Sequence, residues 1–536
     1  MRAITYMNPI RKNVAEGNQF RGYNRQIFGS PNTFWDMKNM TGVDAPLIRT
    51  RDRRHKMRTI GKFNGMFGRE ALGWVDGDNL YYDGETVGKV EDSPKRFVHM
   101  GAYTLIMPDK KLLNTSTLEV LNVENRAEMT GEITYTPCDK LGEKAEWESA
   151  VYVKIEAEGI GSGFKSGDVV TVSGSAVESL NGDMQLDTVT EDSIILLGVM
   201  YEESMSQEGG LKLERTMPDM DYMTECKNRI WGCSSKNHEV YACKLGDPTN
   251  WKSYQGLASD AYALTVGSIG DFTGATSHLG YVLFFKEHMI HKLFGDRPSN
   301  YQLTDTHARG VQQGSADSLC TINETLYYMS TEGVVAYEGA LPGDVGEALG
   351  NVRYYNARAG SAKGRMWMCM EDNEQENHLF TLDAKTGAWH KEDNVRVLAF
   401  ARTGEHLYMV DDAGNLWCMT GHGDMEYEDE TAAWEGTRMF TLETGYLNMM
   451  DLYRKRMQKI MIRLEVDMGG ACEVDVQYDD GAWQMVQRIE AGQSKRSLAL
   501  PMVPRRCDRM KIRIHGYGMM RLYNLNLITT GGSEIG

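Results

Sequence analysis

The sequence predicts an all-β chain: a β-propeller of six or seven blades, carrying an inserted small β-barrel and a C-terminal β-sandwich. Composition is the first ground, since 56 Gly against 12 Pro, with 26 Tyr, 10 Trp and 14 Phe in 536 residues, favours many short aromatic strands reversed at glycine turns. The second is a recurring unit in which an apolar strand, a tight polar turn and an aromatic-rich strand follow one another as a hairpin. The third is its period. First strands aligned on Leu326, Trp367 and Leu407 stand 41 and 40 residues apart, a blade spacing and not that of a helical or leucine-rich solenoid.

Residues 1–60 read as an N-terminal arm and first strands, and the propeller is expected over 61–127 and 216–434. Its first hairpin joins residues 72–75 (LGWV) to 80–82 (LYY) through Asp76-Gly77-Asp78-Asn79, a turn whose Asp-Gly step tolerates positive φ. The same pattern returns at 229–242 and 281–293, and most clearly at 325–337, 365–382 and 406–419. The acidic turns after Asp383 and Asp411 lack the spaced ligands and terminal Glu of a calcium loop, so they are expected as structural, solvated turns. Residues 128–215 interrupt the pattern with strands of their own (150–155, 168–172, 184–186 and 193–197) and read as a barrel inserted into a propeller loop. Beyond 435 the strict apolar/polar alternation of 460–466, 472–478 and 510–514 predicts half-buried antiparallel strands, hence a separate sandwich over 435–536.

Composition also excludes. With 41% hydrophobic and 25% charged residues the chain is globular, not disordered. Its most apolar stretch, 193–200 (SIILLGVM), is far short of the roughly 20 residues a membrane span needs, and residues 1–20 show no secretory signal. Nine cysteines without framework spacing point to free thiols made in a reducing compartment. The 34 methionines read as adaptable packing material. A formal charge of −17 opposes adhesion of nucleic acid over the whole surface, leaving only local basic patches for phosphate.

No motif for catalysis, cofactor or metal emerges, and the chain reads as no enzyme. His288 and His291, three apart on a strand pattern, face opposite ways; Cys226, Cys233 and Cys243 lack zinc spacing; Asp411 and Asp412, adjacent on a turn, diverge too far for a glycosidase pair. The dense basic run over 49–58 supplies Arg49, Arg51, Arg53, Arg54, Lys56 and Arg58, and an extended backbone would set Arg49, Arg51 and Arg53 on one side. Bidentate pairing with carboxylates of a neighbouring subunit, or contact with a DNA backbone, would suit them, as it would Arg505 and Arg506.

Several segments resemble a known family. Phe20-Arg21-Gly22-Tyr23-Asn24, Lys38-Asn39-Met40 and Ala45-Pro46 through Arg51 are similar to the opening of tailed-bacteriophage propeller proteins, and Asn228-Arg229-Ile230-Trp231-Gly232 followed by Leu245-Gly246-Asp247-Pro248-Thr249-Asn250-Trp251 resembles one of their blades. The likeness spans roughly 20–420. It implies a virion structural protein of the short tail, a nozzle or a plug stabilising packaged DNA. Such a protein is made in the host cytoplasm and assembles as a ring, typically a homohexamer. It would contact portal and adaptor proteins, tail fibres or tip proteins, and transiently DNA. A glycan-binding or glycan-cleaving propeller protein of a tail tip or fibre is the alternative.

Overall fold

The computed structural model describes residues 12–26, 29–447, 454–490 and 496–530. They are all-β: the helical elements among them are 3-10 turns of three residues each. The chain divides into two compact units, one comprising Met1–Gly61, Gly68–Leu72 and Gly314–Gly536, the other Lys62–Phe67 and Gly73–Gln313.

The second unit is built mainly of four-stranded antiparallel meanders. Their strands run in chain order over residues 63–89, 96–122, 222–265 and 274–307. Burial explains the grammar of each. The inner strand Tyr281–Lys286 is buried along nearly its whole length, so it reads as a continuous apolar run, whereas the outer strand Gln302–His307 is largely exposed and polar. Cross-strand aromatic pairs lock register, as where Trp74 stacks on Tyr81 directly opposite, with ring centroids 5.1 Å apart.

Between the second and third meanders, strands from Asn125–Glu128 to Lys212–Arg215 form a separate eight-stranded sheet. It closes over its own core, including Ile133, Tyr135, Val153, Ile155, Leu186 and Leu196. The first and last strands of this segment pair antiparallel, Asn125 opposite Arg215 and Glu128 opposite Lys212, so the segment enters and leaves side by side.

In the first unit, two further meanders cover Cys320–Ile322 to Gly343–Asp344 and Tyr354–Ala362 to Ala388–Asp393. A third sheet takes Val397–Thr403, His406–Asp411 and Asn415–Cys418 in order, and its fourth strand is His55–Thr59, drawn from the other end of the chain. The strands expected as a separate C-terminal sandwich lie in two sheets, and the N-terminal arm is woven into both. Lys12–Gly17 and Ile48–Thr50 pair with Met520–Thr530, and Asp36–Lys38 pairs with Met439–Glu443. The core they share runs from Phe20, Phe34 and Met37 to Ile460, Ile514 and Leu525. Alternation along a strand shows which face is buried; it does not name the partner strand, so arm and sandwich look separate in sequence.

Candidate functional site

The basic run is not one strand. Ile48–Thr50 lies in one sheet and His55–Thr59 in another, with 51–54 crossing between them. This corrects the expectation that Arg49, Arg51 and Arg53 share a face, and it removes two guanidinium groups from any partner. Arg51 and Arg54, 4% and 5% exposed, are spent inside the chain. Arg51 donates to both carboxylate oxygens of Glu435 at 2.7 and 2.8 Å and to Asn39 Oδ1 at 2.8 Å; Arg54 pairs with Glu392 at 2.6 Å and Asp393 at 2.8 Å. Burial alone would raise the carboxyls of Asp393 and Glu435, yet the two arginines hold both below the usual carboxylate range. Arg49 is half-buried and bonded to Asp44 and Asp52. Lys56 and Arg58 are half-buried on the strand His55–Thr59, while Arg53, Arg505 and Arg506 are exposed. Sequence reasoning could not separate these classes, because the carboxylates lie more than 300 residues away: 338 for Glu392 from Arg54 and 384 for Glu435 from Arg51.

Asp411 requires a second correction. It is buried, not a solvated turn residue: Oδ1 accepts from the backbone N–H groups of Ala413 and Asn415, and Oδ2 from the indole of Trp417 at 2.8 Å. His288 and His291 do diverge, His288 exposed in a turn and His291 buried between Asp305 and Ser268. All nine cysteines are free and buried.

The residues that carry the phage-like segments fix backbone. Arg229, 1% exposed, donates to the carbonyls of Cys243, Ala258 and Asp260, tying three stretches of its meander together. Gly232 lies where any Cβ would stand 2.1 Å from Met220 Sδ. Asp247 accepts from the N–H and hydroxyl of Thr249, and Trp251 donates to the Pro248 carbonyl at 2.9 Å. At the N-terminus Gly22 adopts φ +79° with a virtual Cβ 2.2 Å from the Trp389 carbonyl, so only glycine is accommodated. Asn39, also left-handed at φ 55°, donates to the Met439 carbonyl at 2.8 Å.

Within the second unit, Asp247 and its turn border a cleft of about 620 Å³ lined by residues that include Tyr103, Asn122, Glu124, Asn125 and Phe164. Arg215 forms its floor: Nε donates to the Val123 carbonyl at 2.8 Å, and the guanidinium meets buried Asp168 at 2.5 Å and packs over the Phe164 ring. Lys165 reaches Asp247 at 3.0 Å. Burial would raise the Asp247 carboxyl, but Thr249 and Lys165 keep it below the usual range. Amides, carboxylates, cations and two aromatic rings on one concave wall suit a polar ligand of sugar size, which offers both hydroxyls and an apolar face. Sequence reading missed the cleft, since its walls come from the inserted sheet and two meanders together.

No family model matches the chain, and no curated protein matches it. Among solved structures it is similar to an exo-β-1,3-galactanase of Phanerochaete chrysosporium at 9% identity, covering 56% of this chain and 95% of that one with a TM-score of 0.22. It is also similar to PorZ of Porphyromonas gingivalis at 9% identity, covering 82% and 71% with a TM-score of 0.28. The phage phi92 endosialidase shares 11% identity over 81% of this chain and 56% of that one, with a TM-score of 0.16. The expectation that the chain is no enzyme is corrected: glycoside hydrolases stand among these neighbours, a likeness that by itself assigns this chain no activity. The physical reason is general: glycan-cleaving carboxylates come from strands distant in sequence, so a missing linear motif excludes nothing.

Proposed function

We propose that this chain is a structural protein of a bacteriophage tail, its meanders forming seven propeller blades and its copies a ring around the DNA path. The observation that carries the proposal is that the segments resembling phage propeller proteins are the ones that clamp the chain together. Gly22, Asn39 and Arg51 bind the N-terminal arm to segments far along the chain, and Arg229 and Asp247 to Trp251 fix a blade. A chain whose two ends are interleaved in two sheets withstands force and pressure without fraying, as a tail component must. A net charge of −17 keeps phosphate from sticking while DNA passes. Cryo-electron microscopy and quantitative mass spectrometry of purified virions test the proposal. Symmetric rings containing this chain, next to portal and adaptor proteins, are expected; its absence from particles would overturn it.

A second reading, a glycan-binding or glycan-cleaving component of the tail tip or fibre, is favoured by the cleft beside Arg215. Screening host surface glycans against the full chain and against Tyr103→Ala and Asn125→Ala tests it. Binding or cleavage weakened tenfold or more in both variants, about 1.4 kcal/mol, supports this reading; no glycan engaging the wild type removes it.

A further inference from the structure

The start of the strand His55–Thr59 gathers donors that neither reading uses. We propose that His55, His422 and Glu428 form a site for one divalent late first-row transition ion of the zinc class, with a fourth position open to solvent.

Their convergence is built by the ladder. His55 sits between Cys418 and Trp434 on the strands either side. The loop leaving Cys418 folds back over the strand, with Asp429 N–H donating to the Met57 carbonyl at 3.0 Å. Gly423 at φ +84° packs against Met57, where a Cβ would lie 3.1 Å from Sδ. This brings His422 over His55, rings stacked 4.1 Å apart, with Trp434 walling both.

Glu428 Oε1 stands 3.3 Å from His422 Nδ1 and 3.7 Å from His55 Nδ1. A tetrahedral zinc ion with bonds of about 2.0–2.1 Å holds its ligand atoms roughly 3.3–3.4 Å apart, so the spacing is close to that of a loaded site. The same Oε1 is buried and accepts no hydrogen bond, an arrangement that is costly without a cation. Two imidazoles, borderline nitrogen donors, beside one carboxylate select zinc-class ions over calcium or magnesium. His55 is 5% exposed and His422 48%, so solvent reaches the cluster from the His422 side. His55 Nδ1 lies 3.0 Å from the His422 carbonyl, and binding the ion would exchange that hydrogen bond for a metal bond. The sequence gives no warning, because His55 and His422 are 367 residues apart.

The test uses the full chain, stripped with a chelator and titrated with zinc chloride under calorimetry, with retained metal measured after gel filtration. One zinc per chain, a raised melting temperature and the visible absorption of tetrahedral cobalt on substitution are expected. His422→Ala, at an exposed position, and Glu428→Gln should each weaken uptake beyond the roughly 10–100-fold that loss of an outer hydrogen-bond partner costs. His288→Ala, an exposed histidine elsewhere, should change nothing. Wild-type chain retaining no more zinc than His422→Ala, or an equal loss in His288→Ala, overturns the proposal.

Discussion

Arg54 and Arg53 are neighbours with opposite fates, and the contrast can be measured. Arg54 is buried between Glu392 and Asp393, which themselves are 7% and 16% exposed, so Arg54→Met takes the nearer of two cations from these carboxylates in low dielectric and leaves them only Arg51, 3.5 and 3.3 Å away. Breaking such a pair from one side costs about 3–5 kcal/mol. Arg53→Ala, at an exposed position, should stay within about 0.5 kcal/mol. Urea denaturation of the two variants checks both, and equal midpoints would refute the buried network. His390 gives a pH dependence of known sign. Its imidazole, walled by Gly22 and Gly42, is pushed by burial and by Arg365 down to about 4 from an ordinary 6.5. Between those values the unfolded chain binds more protons, so this group's contribution is whole above pH 6.5 and falls away toward pH 4, by roughly 3 kcal/mol. Melting profiles of wild type and His390→Gln should differ in slope over that window and run parallel above it.

What was readable in the chain follows the range of the interactions. The hairpins at 325–337, 365–382 and 406–419 are legible because inner strands buried on both faces are apolar runs and their partners lie a few residues away. Asp411 was misjudged because an acidic turn looks the same whether its carboxylate faces water or caps Ala413, Asn415 and Trp417. The cleft and the His55–His422 pair were invisible, since each depends on segments joined only by tertiary folding. The inserted sheet supports its own prediction. Glu128 and Lys212 are register partners, so residues 129–211 can be replaced by an Asn-Gly turn that continues the Asn125–Arg215 ladder as a hairpin. Arg215 then loses Asp168 and should be changed to Met in the same chain. Because the inserted sheet has a separate core, the shortened protein should keep one cooperative unfolding transition while losing any glycan binding at the cleft. Insolubility of every such variant would show that the sheet supports its neighbours.

The interleaving of the chain ends governs how the first unit can form. Its core takes Phe20, Tyr23, Phe34 and Met37 from the beginning of the chain and Ile460, Ile514 and Leu525 from the end. The strand His55–Thr59 fills the gap between Asn415–Cys418 and Ala433–Trp434, so without it one edge of Asn415–Cys418 is bare and Ala433–Trp434 is detached from the sheet. Contacts of such sequence separation require closure of very long loops before they contribute, which makes their folding slow. A fragment of residues 314–536 lacks these strands together with Arg51 and Arg54, leaving Glu392 and Asp393 buried without cations and apolar faces bare. That fragment alone should be aggregated or show no cooperative melting, and co-expression with residues 1–61 should restore a soluble complex that melts cooperatively. The same rescue attempted with Arg54→Met in the short piece should yield a complex weakened by the 3–5 kcal/mol of the intact variant. A 314–536 fragment that folds unaided would mean that the arm is an accessory to the sheets rather than part of them.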